Sequence, residues 1–223
     1  MIKINLVIPA KEEINDLISL IKVLLKKKFI NKLIIVLDEN NKTNFFKHKK
    51  IKIISKNKGY GSAIKEGFKK SKTKYTCIYN ADGSFNIDDL PKMLRLTNKK
   101  IDFVFASRYL SNAGSNDDTI LTYLGNFFFT KITKYLLNIN LSDVLYTYVL
   151  CNTKKFLRLN LKSNDFRLCV ELPFKVQILN YKYTSCPSFE YKRKYGKKKV
   201  NEFRDGLLIL IEIIKCFIIK IQK

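Results

Sequence analysis

Three short segments of the 223-residue chain carry side chains suited to work on a phosphorylated substrate. The strand-like run Tyr75 to Asn80 ends in Asn80-Ala81-Asp82-Gly83. The segment Asn57-Lys58-Gly59-Tyr60-Gly61-Ser62-Ala63 precedes it, and Phe103 to Ala106 leads into Ser107-Arg108. A carboxylate at the carboxyl end of an apolar strand, between a glycine-rich turn and an arginine, can hold a cation and a diphosphate. The cation neutralises a leaving diphosphate and so lowers the barrier to bond cleavage. The same residues also suit an ordinary turn, since Asn, Asp and Gly favour reversals of the chain. On local sequence both readings of Asp82 stand.

The glycine-bearing segment matches neither the dinucleotide fingerprint nor the Walker spacing. Ala63 and Gly67 share one helix face and permit close approach to a sheet, while the amino end of that helix can attract phosphate. Asp38-Glu39-Asn40-Asn41, after a second strand, offers acceptors for ribose hydroxyls or a base edge, or forms a solvated turn. His48, the only histidine, stands among lysines and reads as a surface residue. The run Glu190 to Lys199 mixes aromatics with cations, as a solvated loop or as a contact for substrate phosphates or headgroups.

The first half must position these groups. Apolar segments at 4–8, 33–37, 51–54, 75–79 and 103–106 are short and rich in branched and aromatic residues, which predicts strands covered on both faces of a mostly parallel sheet. Between them, 13–26, 62–70 and 88–97 predict helices, with Ser62 and Asp88 as caps and Pro91 in a first turn. Residues 109–118 read as a loop that closes over a site. Beyond them we expect a helix over 121–137, a break at 140–143, a strand over 144–150, a helix over 166–179 and an extended arm over 181–191.

The terminal segment 206–221 has an apolar arc wider than an ordinary surface helix, with Glu212, Lys215 and Lys220 on one side. At about 1.5 Å per residue its uncharged stretches are too short to span a bilayer. The readings are an interfacial helix with lysines toward headgroups, a helix against a partner subunit, or plain packing within the chain. We therefore expect a catalytic body over 1–205 and a C-terminal amphipathic helix over 206–223.

Lysine and arginine number 43 against 19 acidic residues, giving a formal charge of +24 and an attraction to polyanions or anionic surfaces. The lysines are spread along the chain, with no recognition helix or zinc module, which argues against nucleic acid as partner. The five cysteines show no paired spacing, against a disulfide framework or zinc site. Met1 to Pro9 lacks the apolar block of a signal peptide and reads as a first core strand. The expected location is cytoplasmic.

In order, the segments resemble the family 2 glycosyltransferases of GT-A fold, and within them the dolichyl- or polyprenyl-phosphate mannosyl- and glucosyltransferases. Val7-Ile8-Pro9-Ala10-Lys11-Glu12-Glu13 looks like their opening Val-Ile-Pro-Ala-Tyr-Asn-Glu. Asn57 to Ala63 with Gly67 looks like Asn-x-Gly-x-Gly-x-Ala-x-x-x-Gly, and Asn80-Ala81-Asp82 sits where Asp-Ala-Asp is usual. Ser107-Arg108 matches Gly-Ser-Arg, and Arg193-x-x-Gly196-x-x-Lys199 matches Arg-x-x-Gly-x-Ser-Lys.

The resemblance implies an α/β GT-A fold. A nucleoside-diphosphate sugar, UDP- or GDP-linked, would lie along Pro9, Ala10, Glu13, Asp38, Glu39, Lys58, Gly61, Asn80, Ala81 and Asp82. Mg2+ or Mn2+ would sit at Asp82, and the hexose would leave with inversion. Arg108, Thr122, Arg193 and Lys199 would hold phosphates of the acceptor, expected to be a polyprenyl or dolichyl phosphate at the cytoplasmic face of the membrane. The enzyme would be peripheral, touching the bilayer through its C-terminal helix, with a homo-oligomer as a further option. A glycan or glycolipid hydroxyl is the alternative acceptor; it requires a base, for which Asp143 and Glu171 are the candidates. A non-catalytic nucleotide-sugar-binding protein is the third reading, motivated by Asn80 in place of aspartate. Asp118 near the place of an arginine, and Thr147 in a segment that keeps Asp143 but loses later family residues, are departures on the acceptor side.

Overall fold

The computed structural model describes residues 2–10, 14–37, 48–55, 59–194 and 202–222. Strand β1 (Ile4–Ala10) is followed by α1 (Ile14–Leu25), β2 (Ile30–Leu37), β3 (Ile51–Ser55), α2 (Tyr60–Lys70) and β4 (Tyr75–Ile78). A 3-10 turn at Ile87–Asp89 enters α3 (Leu90–Thr97), then come β5 (Phe103–Ser107), β6 (Gly114–Ser115), α4 (Ile120–Leu137), β7 (Val149–Asn152) and α5 (Thr153–Arg158). The chain closes with α6 (Leu168–Ile178), β8 (Tyr183–Pro187), β9 (Phe189–Glu190) and α7 (Glu202–Ile221).

Seven strands form one sheet in the order β3-β2-β1-β4-β7-β5-β8, and β6 pairs with β9 apart from it. All main-sheet pairings are parallel except those of β7, which runs antiparallel between β4 and β5. The expected GT-A-like α/β architecture, a mostly parallel sheet flanked by helices, is what the chain forms.

Side chains alternate across each strand, so one strand feeds two cores. Leu6 and Ile8 of β1, with Leu33 and Ile35 of β2, join Leu17, Leu24, Leu90 and Met93 beneath α1 and α3. Val7, Ile34 and Val36 point to the other face, among Ile64, Phe68, Val170 and Phe174. Gly67 explains how α2 lies so close to the sheet: a Cβ there would run into the Val7 side chain. All five cysteines are buried and unpaired within these layers.

Several boundaries differ from expectation. Helix α2 begins at Tyr60, two residues before Ser62. Asn86, not Asp88, caps the turn before α3, its side chain accepting from the Asp88 N–H at 3.0 Å. The strand expected over 144–150 is β7, shifted to Val149–Asn152, because the preceding residues turn toward the site. The helix α5 was not anticipated, and the arm over 181–191 divides into β8 and β9.

The terminal helix requires a correction. Ile209, Ile213 and Cys216 of α7 belong to the same core as α2 and α6, and Lys220 Nζ donates to the Leu136 carbonyl of α4 at 2.8 Å. The inner face of α7 is thus committed within the chain, while Leu207, Ile211, Ile214 and Ile218 remain exposed on its outer edge. No helix among the described residues is long and apolar enough to cross a membrane. The expectation of membrane contact through this helix is not sustained.

Candidate active site

Asp82 follows β4 in the loop Asn80-Ala81-Asp82-Gly83-Ser84. Its Oδ1 accepts from the Ser84 N–H at 3.0 Å and from the Ser84 hydroxyl at 2.8 Å, while Gly83 takes a φ of 74°. The side-chain-capped turn is therefore real, but it occupies only one carboxylate oxygen. No described residue bonds Oδ2. The loop is pinned from below, where the Tyr79 hydroxyl donates to the Phe85 carbonyl at 2.7 Å. From the side the 189–194 segment pins it: the Tyr191 N–H bonds the Ser84 carbonyl at 2.9 Å and the Lys194 N–H bonds the Asp82 carbonyl at 3.0 Å. Pro9 and Ala10 end β1 at the same edge, one strand away.

Asn80 joins the site through a residue that motif spacing did not single out. The Tyr60 hydroxyl lies 2.9 Å from Asn80 Oδ1 and 2.6 Å from Thr147 Oγ1, and the Tyr60 ring stacks on Phe166 at 4.7 Å. Gly61 permits this placement. A Cβ there would sit 2.6 Å from the Ser163 carbonyl oxygen, so α2 could not seat against the 163–165 segment. The Ser62 N–H at the start of α2 bonds the Asn164 carbonyl at 3.0 Å, which takes up one of the donors that a phosphate would need.

Arg108 is the best-connected side chain at this end of the sheet. Its Nε donates to Asp143 Oδ2 at 2.7 Å and its Nη2 to Asp143 Oδ1 at 3.0 Å. Its Nη1 donates to Asp118 Oδ1 and to Glu190 Oε2, both at 3.1 Å. The guanidinium also lies over the rings of Tyr146 at 4.7 Å and Tyr109 at 5.2 Å, and the residue is 8% exposed. Burial alone would lower its pKa. The charge and hydrogen bonds of Asp143, joined by Glu190, outweigh that and hold the group well above the ordinary guanidinium range.

The carboxylates around it differ in what they have left to offer. Both oxygens of Asp143 are taken by Arg108. Asp118 gives Oδ1 to Arg108 and Oδ2 to the Tyr109 hydroxyl at 2.6 Å. Glu190 gives Oε2 to Arg108 and to the Ser115 hydroxyl, at 3.1 and 2.7 Å, while no described residue bonds Oε1. Burial raises the Glu190 pKa, against the opposing pull of Arg108 and Ser115. A backbone bridge between Glu190 and Phe85 sets the Glu190 main chain beside the Asp82 loop.

Other candidates are held elsewhere. Glu171 accepts from the N–H groups of Lys162 and Ser163 through both oxygens, at 2.7–3.0 Å, and so caps backbone rather than facing the loop. Thr122 closes a capping box with Thr119 at the start of α4, and its hydroxyl is spent there. Arg193 does reach the site, but its backbone N–H and Nη2 both bond Asp117, at 3.1 and 2.9 Å. Glu13, Asp38, Glu39, Lys58 and Lys199 lie outside the described residues.

This arrangement corrects the expected lipid-phosphate acceptor. Arg108 and Arg193 were to hold the acceptor's phosphate, yet three carboxylates neutralise the first and Asp117 the second. A second phosphate brought here would meet a ring of negative charge. Asp117, Asp118 and Glu190 went unrecognised in the sequence as partners for these arginines. The adjacent acidic pair in an otherwise basic chain was the available signal.

The edge where β1, β4 and β5 end carries one carboxylate oxygen, Asp82 Oδ2, that no described residue occupies, and the buried Glu190 of raised pKa, which suits transfer from a diphosphate. Glucosyl-3-phosphoglycerate synthase from Mycobacterium tuberculosis, solved with Mn2+, UDP and phosphoglyceric acid, superposes with a TM-score of 0.69 at 12% identity, covering 96% of this chain and 78% of that one. Its complex with Mn2+ and UDP-glucose gives 0.68 at 14% identity, covering 95% and 78%. At these identities the likeness shows the fold alone. Glycosyltransferase AglJ of Haloferax volcanii is 23% identical over 165 residues, 73% of this chain; the chain spans about half of that relative, 54% of its length. The model of glycosyl transferase family 2 matches residues 5–159, and the chain belongs to that family.

Proposed function

We propose that this protein transfers a hexose from a nucleoside-diphosphate sugar, UDP-linked in first place and GDP-linked in second, to a hydroxyl of a glycan or glycolipid. The observation that carries the choice of acceptor is the neutralisation of Arg108 by Asp143, Asp118 and Glu190. Among the described residues the two arginines of this site are already paired and offer an acceptor phosphate no open guanidinium, whereas a neutral hydroxyl needs only hydrogen bonds and a base. The solved neighbours, crystallised with UDP and with UDP-glucose, support a uridine donor.

Asp82 fits a divalent ion through Oδ2. Among the described residues no group of three or more acidic, histidine or cysteine side chains could hold a metal, and one carboxylate plus substrate phosphates is a common way to bind Mg2+. A cation there would neutralise charge on the departing diphosphate.

This chain's own residues do the rest. The Ser84 bonds keep the Asp82 carboxylate from rotating. Glu190 takes the acceptor's proton through Oε1 as the hydroxyl oxygen bonds the anomeric carbon. The bond from that carbon to the diphosphate breaks, its electron pair leaves with the nucleotide, and the centre inverts. The raised pKa of Glu190 makes it a stronger base than a solvated carboxylate. Asp143 and Arg108 position Glu190 and the 108–118 segment. On this reading residues 1–205 carry the chemistry and 206–223 brace α4 and α6 from behind.

The test is incubation with radiolabelled UDP- and GDP-hexoses and a panel of glycan and glycolipid acceptors, with and without Mn2+. Cation-dependent transfer, abolished in Asp82→Asn, is expected. Tight nucleotide binding with no turnover on any acceptor would favour the non-catalytic reading that Asn80 suggests, and an absence of nucleotide binding would reject both.

A further inference from the structure

Tyr60 belongs to none of the roles described so far, yet its hydroxyl ties together three segments that meet at the donor edge. It contacts Asn80 Oδ1 at 2.9 Å and Thr147 Oγ1 at 2.6 Å, and its ring is fixed by the stack on Phe166. Burial pushes the phenol pKa up, with only partial relief from Thr147, so the hydroxyl keeps its proton at neutral pH. Donating that proton to Asn80 Oδ1 leaves its oxygen to accept from the Thr147 hydroxyl. Each member of the chain is then satisfied once.

The consequence falls on Asn80, which is only partly buried. An amide has one oxygen able to coordinate a cation and one nitrogen able only to donate. The bond from Tyr60 takes one of the two lone pairs of Oδ1 and turns that oxygen toward α2, so the nitrogen is the group left over, and no described residue bonds it. Asp82 two residues on has a carboxylate oxygen, Oδ2, that no described residue bonds. One side chain thus offers N–H to an oxygen-rich ligand and its neighbour offers negative charge to a cation.

Resting on the donor-site reading above, we propose that Tyr60 is a positioning residue that withdraws the Asn80 carbonyl from the cation and directs the amide nitrogen to an oxygen of the nucleoside diphosphate. The cation therefore enters as its complex with the nucleotide, because Asp82 alone is too sparse a site to hold it beforehand.

Calorimetry with Mn2+ alone, UDP alone and Mn2+ with UDP tests this on the whole chain, in wild type, Tyr60→Phe, Asn80→Ala and the double variant. Wild type should bind Mn2+ only in the presence of UDP. Tyr60→Phe keeps the stack on Phe166 and should weaken Mn2+–UDP binding by about three- to tenfold, the range of one hydrogen bond. It should raise the donor KM by the same factor with kcat little changed. In the Asn80→Ala background the Tyr60→Phe change should add nothing, since the tyrosine acts through the amide. Equal effects in both backgrounds would overturn the proposal while leaving the transferase reading intact. So would Mn2+ binding to free wild type that is lost in Asn80→Ala, which would put Oδ1 on the cation. Failure of wild type to bind UDP under any condition would bring down the transferase reading and this inference together.

Discussion

Replacing Arg108 with methionine removes the positive charge that pairs with Asp143, Asp118 and Glu190. Four charge-assisted hydrogen bonds of 2.7–3.1 Å are lost. Counted singly, at about 1.5–3 kcal/mol each, they would amount to as much as the whole stability of a typical domain, about 5–15 kcal/mol. They share one guanidinium and cannot add. The relevant magnitude is that of a broken buried ion pair, about 3–5 kcal/mol, most of it the cost of leaving carboxylates buried without a counterion. Asp143 and Glu190 are 1% and 7% exposed, so water offers little relief. Urea denaturation at pH 7 should show the unfolding free energy falling by that amount, through a lower midpoint at constant slope. The deficit should shrink as pH is lowered. Burial already raises the Glu190 carboxyl, and without the opposing pull of the guanidinium it lies further above its unfolded value, so the folded variant takes up that proton more readily and gains stability toward acid. Arg108→Lys should recover only part of the loss, because an ammonium cannot reproduce the fork that engages both oxygens of Asp143. A loss below about 1 kcal/mol, the range of an exposed pair, would refute the view of Arg108 as a structural hub and free it for a ligand.

Three further outcomes are expected. Glu190→Gln should lower kcat by about 10²- to 10⁴-fold with little change in donor KM. The acid limb of the wild-type rate profile, lying above the ordinary glutamate range because burial raises that carboxyl, should vanish in the variant. Gly61→Ala places a methyl 2.6 Å from a backbone carbonyl and should cost about 1–3 kcal/mol, measured by thermal unfolding. Ile213→Ala, at a fully buried position, should cost about 2–5 kcal/mol in one cooperative transition with the rest of the chain. A separate early transition would show that α7 melts on its own.

The strands were legible because each is short, apolar and branched, and both faces are covered, so Ile4 to Ile8 or Phe103 to Ala106 allow few alternatives. The Asp82 loop and Arg108 were legible too, since strand ends and polar residues coincide there. What a single sequence could not show was pairing across distance. Glu190 lies 82 positions from Arg108 and Asp117 lies 76 from Arg193, and no local periodicity links them. Arginines without visible partners looked available for phosphate, and the acceptor was misjudged for that reason. Asp143 and Glu171 looked like bases for the same reason, until the guanidinium and the backbone N–H groups of Lys162 and Ser163 were seen to occupy them. The terminal helix misled through composition: an arc of isoleucines is equally suited to lipid and to a protein interior, and only the neighbouring α4 and α6 decide its inner face.

The five sequestered cysteines give the molecule a built-in chemical reporter. Burial raises every one of their pKa values, to about 11 for Cys186 and about 12 for Cys216, so the native protein presents almost no thiolate to an alkylating reagent. Cys77 and Cys151 lie in the central strands, whereas Cys216 lies in the last helix. Mass-resolved labelling over time would therefore follow the loosening of each layer separately, with no probe introduced.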